Sequence, residues 1–72
     1  MEEQVLEIVK NITAEREADG IEPTHSLLFD VINRCSTFHV SEDDCRKALR
    51  NLAIRNELVF GRTINDYYFK AN

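Results

Sequence analysis

No apolar run in this chain approaches the roughly 18 residues needed to cross a bilayer, and its 72 residues include only two cysteines, two glycines and one proline. The first absence excludes a membrane-spanning helix from the expectation. The acidic opening Met1-Glu2-Glu3 is the opposite of the basic start of a secretory leader, so a cytoplasmic protein is expected. Without an export signal, Cys35 and Cys45 are expected as free thiols rather than as a disulfide framework. Neither a Cys-x-x-Cys nor a His-x-x-x-His pair anchors them to His25 or His39, so no metal is expected. There is no glycine-rich phosphate loop, and no nucleophile, base and orienting group stand together. The expectation is therefore a protein that is not an enzyme and takes no cofactor. Internal repeats, linkers and low-complexity tracts are also missing, which leaves one small domain over residues 1 to 72.

What is present is an ordinary globular balance, 43% hydrophobic and 31% charged, with a net charge of −4. That charge is unevenly spread. Residues 1 to 33 hold eight acids against Lys10 and Arg16, a net of −6, whereas residues 34 to 72 hold seven bases against five acids, a net of +2. Such a molecule is two-sided, and a polyanion would approach its C-terminal half.

Val5, Ile8, Val9 and Ile12 recur at i, i+3, i+4 and i+7, which predicts a first helix over residues 2 to 18, closed by Gly20. Gly20-Ile21-Glu22-Pro23 reads as a breaker. A second helix is expected over residues 24 to 35, capped by Thr24, with Leu27, Leu28, Val31 and Ile32 on its apolar side and Phe29 broadening it. Ser36 to His39 read as a short turn that holds Phe38 inward. Ser41 then caps a third helix over residues 41 to 55, with Asp44 completing a capping box and Cys45, Ala48, Leu49 and Leu52 forming the buried stripe. Leu58-Val59-Phe60 and Asp66 to Lys70 are rich in strand-forming types and predict a hairpin over residues 57 to 70. Its turn, Gly61 to Asn65, lacks an Asn-Gly or Asp-Gly pair, so the turn type and register are open. Tyr67 and Tyr68 should face opposite sides of the sheet. The fold class is thus mainly α with a small β-hairpin.

Three helices, the last two joined by a tight turn, followed by a C-terminal hairpin: this order resembles the winged helix-turn-helix superfamily. Val40-Ser41 followed by Arg46, Ala48-Leu49, Leu52 and Leu58-Val59 is similar to the third helix and first wing strand of GntR-type repressors. The resemblance implies a third helix that enters the DNA major groove and a wing that touches the backbone or minor groove. At 100° per residue, Asp43, Arg46, Lys47, Arg50 and Ile54 gather opposite the buried stripe. Arg46, Lys47 and Arg50 are then the candidate DNA-contacting cations, with Arg62 and Thr63 gripping a phosphate from the wing.

Two features depart from that pattern. Glu42, Asp43 and Asp44 occupy the first turn of the third helix, where carboxylates repel a duplex carrying one charge per roughly 1.7 Å of axis, and the turn before it contains no glycine. A DNA-binding regulator, acting as a homodimer or as a monomer, is one expectation. The alternative is a protein-interaction adaptor of the same fold, with Glu3 and Glu7 of the first helix or Ile64 of the wing as the contact. Ile64 either packs back on the hairpin or meets a protein partner.

Overall fold

The computed structural model describes residues 1–22, 24–64 and 66–72; Pro23 of the expected breaker and Asn65 of the expected turn lie outside them. The chain runs α1 (Glu2–Ala18), β1 (Ser26–Leu27), α2 (Leu28–Thr37), α3 (Glu42–Ile54), β2 (Leu58–Arg62) and β3 (Tyr67–Ala71). It is mainly helical, with a small antiparallel sheet in the order β1-β3-β2.

Each helix contributes one apolar stripe to a single core. Val5, Ile8, Val9 and Ile12 come from α1, Leu28, Val31 and Cys35 from α2, and Cys45, Ala48, Leu49 and Leu52 from α3. Leu58 and Phe69 close the core from the sheet, and Val40 closes it from the turn between α2 and α3. Burial of this apolar surface is the main favourable term for so short a chain. Ion pairs add orientation between helices, among them Arg16 of α1 with Asp30 of α2 at 3.6 Å. Glu15 of α1 accepts both Nη groups of Arg34 on α2 at 2.8 and 3.0 Å, and Glu2 meets Arg55 at 2.7 Å just past the end of α3.

All three helices stop in the same way. Gly20, His39 and Asn56 take φ of 68°, 63° and 62°, and in each case the following amide reaches back to a carbonyl of the last turn: Ile21 to Arg16, Val40 to Cys35 and Glu57 to Leu52, at 2.9 to 3.0 Å. These are Schellman closures, which normally favour glycine at the left-handed position. His39 thus does the work of the glycine that the turn between α2 and α3 lacks.

The second helix departs from the expectation. It begins at Leu28, not at 24, and Thr24 does not cap it; Leu27 stands at the N-cap with extended backbone and no side-chain cap. The reason is a strand that the sequence pattern did not reveal. Ser26 pairs with Phe69 and Leu27 with Tyr68, and the fully buried Ser26 hydroxyl donates to the Val9 carbonyl at 2.8 Å, with Thr13 Oγ1 3.0 Å away. Pairing with β3 and the bonds to α1 therefore outweigh the helical tendency of this segment. At its other end α2 continues through Ser36 and Thr37, and Phe38, expected inward, is 53% exposed. The Schellman closure at His39 sends Val40, not Phe38, into the core.

The third helix and the hairpin match the expected spans closely. Ser41 Oγ accepts from the Asp44 amide at 3.2 Å, the first half of the expected capping box. β2 and β3 pair from Leu58↔Ala71 to Arg62↔Tyr67. Leu58, Phe60, Arg62, Tyr67 and Phe69 consequently share the face toward the helices, and Val59, Gly61, Tyr68 and Lys70 share the other.

Candidate interaction face of α3 and the wing

Arg46, Lys47 and Arg50 lie exposed on α3, as the helical spacing predicts. Their electrostatic situations differ. Arg46 donates through Nε to Glu42 Oε2 at 3.0 Å, one turn back on the same helix. Among the described residues, no ion pair engages Lys47 or Arg50. The exposed acids Glu42 and Asp43, and the half-buried Asp44, suit the positive end of the helix dipole.

Arg62 lies at the far end of β2, with its guanidinium carbon 5.9 Å from the centre of the Tyr67 ring. Thr63 is committed within the wing turn. Its hydroxyl donates to the Asp66 carbonyl at 2.8 Å and accepts from the Asp66 amide at 2.9 Å, which leaves it no proton for a phosphate. Ile64 is 99% exposed and does not pack back on the hairpin. Glu3 and Glu7 are exposed on α1 and are not among the residues that line the α3–wing groove.

Between α3 and the inner face of the wing runs an open groove of about 410 Å³. Leu28, Leu49 and Phe69, all buried, form its floor. Ala53 and Ile54 wall it on the helix side, Phe60 and Tyr67 on the wing side, and Arg46 and Arg50 stand along it. Ile54 is 71% exposed and Phe60 59%, so the groove presents large apolar side chains directly to solvent. Sequence reasoning placed Ile54 on the solvent side of α3 without giving it a role. It missed Phe60, for which the signal was alternation from Leu58: a strand that buries residue 58 turns residue 60 to the same side.

The metal-ligating types do not converge. His25 makes an edge-on contact with Tyr68, ring centres 4.7 Å apart, and His39 is exposed. Cys35 and Cys45 are buried free thiols. Burial pushes the Cys45 thiol up to about 12 and raises Cys35 in the same direction. They are protonated core residues at neutral pH, not nucleophiles. Among the described residues, no group of three or more His, Cys, Asp or Glu is arranged to hold a metal ion. No helix among them is long and apolar enough to cross a membrane.

No family model matches the chain, and comparison with curated proteins and with solved structures returned no match.

Proposed function

We propose that the chain is a winged helix-turn-helix domain that serves as a protein-interaction module, docking a partner on the face formed by α3 and the wing. The tri-helical core, with a two-stranded C-terminal hairpin joined by β1, supports the winged-helix part of this reading. The observation that carries the functional part is the groove between α3 and the wing, where Ile54 and Phe60 stand exposed beside Tyr67. Aromatic and arginine side chains around an apolar depression are the composition of protein-docking hot spots. A phosphate backbone offers nothing to the apolar part of such a surface, and the three acids at the start of α3 repel it.

The DNA-binding reading keeps one specific support: Lys47 and Arg50 have no ion pair among the described residues, and Arg62 is a further cation on the wing. A titration with mixed-sequence duplex DNA at low salt separates the two. The interaction reading expects at most weak binding that is indifferent to Lys47→Ala with Arg50→Ala. Tight binding that falls steeply with added salt, and that this double substitution abolishes, would make the face a DNA reader.

A further inference from the structure

We propose that the groove takes an acidic segment of a partner protein that carries large apolar side chains, these filling the groove while its carboxylates meet Arg46 and Arg50. This rests on the reading of the α3–wing face as a protein-docking surface, and it specifies the chemistry of the partner.

The charge pattern is the basis. Among the described residues that line the groove, Arg46 and Arg50 are the only charged ones, and the rest are apolar or aromatic. In a chain with a net charge of −4, this is a local cationic margin on an otherwise acidic molecule. Arg62, beside Tyr67, adds a third cation where the wing wall ends. A basic partner would be drawn to the acidic remainder of the molecule and repelled at this margin, so it would not settle in the groove. An acidic partner is drawn to this margin and repelled elsewhere, which fixes where it lands.

The two arginines are also available. Arg50 has no ion pair among the described residues. Among the described residues Arg46 is paired with Glu42, in an exposed i,i+4 contact of the kind that contributes little, and it can exchange that partner for an incoming carboxylate at little cost. One turn apart on α3, they stand roughly 6 Å from each other along the axis. Planar guanidiniums at that spacing bind two carboxylates bidentately, whereas Lys47 supplies only a point charge. The volume of about 410 Å³ falls in the range of about 300 to 1,000 Å³ over which pockets enclose apolar ligand groups.

The test is selection of short random peptides on the immobilised chain, followed by affinity measurement with synthetic versions of the enriched sequences. The expected peptides combine Asp or Glu with Phe, Leu, Ile or Met. They should lose about tenfold or more in affinity against Ile54→Asp and against Phe60→Ser, two exposed positions whose replacement spares the core, and a similar factor against Arg50→Glu. Binding should also weaken with salt. Groove-dependent peptides that are neutral or basic, or indifferent to Arg50→Glu, would overturn the acidic partner and leave the docking face intact. Peptides indifferent to both Ile54→Asp and Phe60→Ser, or no enrichment at all, would overturn both. Self-association of the chain that Ile64→Asp abolishes would make the occupant the wing tip of a second copy, and would equally overturn the proposal.

Discussion

Asp66 of the wing turn accepts a hydrogen bond from the amide of Phe29, in the first turn of α2, at 3.2 Å and across 37 residues of sequence. Its other carboxylate oxygen accepts from the Tyr67 amide at 2.8 Å. One side chain therefore caps a helix that has no local cap and ties the wing to the helical core. It puts a negative charge at the positive end of α2, and it holds β3 and Tyr67 where they form one wall of the groove.

Asp66→Ala should cost about 1 kcal/mol in urea unfolding, the usual worth of an N-cap, and Asp66→Asn, which keeps an acceptor, markedly less. The informative readout is amide exchange. The Phe29 and Tyr67 amides should exchange faster in Asp66→Ala while the core amides of α1 keep their protection; unchanged exchange at both positions would remove Asp66 from this role.

His39 holds φ at 63° at the turn between α2 and α3. A left-handed conformation costs an L-residue about 1 to 2 kcal/mol, and glycine escapes that cost at an entropic penalty of about 0.5 to 1. His39→Gly should therefore stabilise the domain by up to about 1 kcal/mol, seen as a higher urea midpoint with an unchanged slope. A lower midpoint would mean that the exposed imidazole makes a contribution the backbone geometry does not suggest.

The buried thiols make stability fall in alkali. In the folded chain Cys45 keeps its proton up to about 12 because it is buried, whereas in the unfolded chain an exposed thiol ionises near 8.5. Between those values the folded state binds more protons than the unfolded state, so stability declines as pH rises through the window and is fully present below it. Cys35 acts in the same direction. Urea midpoints from pH 7 to pH 10 should fall with a slope of at most about 1.4 kcal/mol per pH unit for each thiol, and Cys35→Ala with Cys45→Ala should flatten it. An undiminished slope in that double variant would assign the effect to other groups.

On the outer face of the sheet the Tyr68 ring lies directly over Gly61, so a methyl group there would overlap it. Gly61→Ala must swing the ring away and break its contact with His25. The expected loss is about 1 to 2 kcal/mol, and the combination with Tyr68→Ala should be clearly less than additive. Simple additivity would show that the glycine is needed for another reason.

How far the sequence revealed this architecture depended on whether a signal was local. The spans of α1 and α3 could be read because Val5, Ile8, Val9 and Ile12, and then Cys45, Ala48, Leu49 and Leu52, repeat at the helical period and do enter the core. The start of α2 could not, because Ser26 and Leu27 answer to Phe69 and Tyr68 more than forty residues away, and two residues are too few to show alternation. Asp66 as the cap of α2 was hidden for the same reason: a Thr near the expected start is the ordinary local signal, and the partner in use arrives from the wing. The cations at 46, 47 and 50 were visible, but their setting was not. Arg46 leans on Glu42 within α3 and the Thr63 hydroxyl closes its own turn, local contacts among several that the spacing allowed, whereas the open groove that Ile54 and Phe60 both line follows from how the hairpin packs beside α3.

If the α3–wing face docks a protein, position 54 lies against that partner in the cell. A photoreactive side chain in place of Ile54, irradiated in cells that naturally contain the protein, reports directly on what lies against the groove. The expected result is a discrete protein adduct whose cross-linked peptide is acidic, and which disappears when Phe60→Ser is added. Adducts to nucleic acid at position 54, with none to protein, would contradict it.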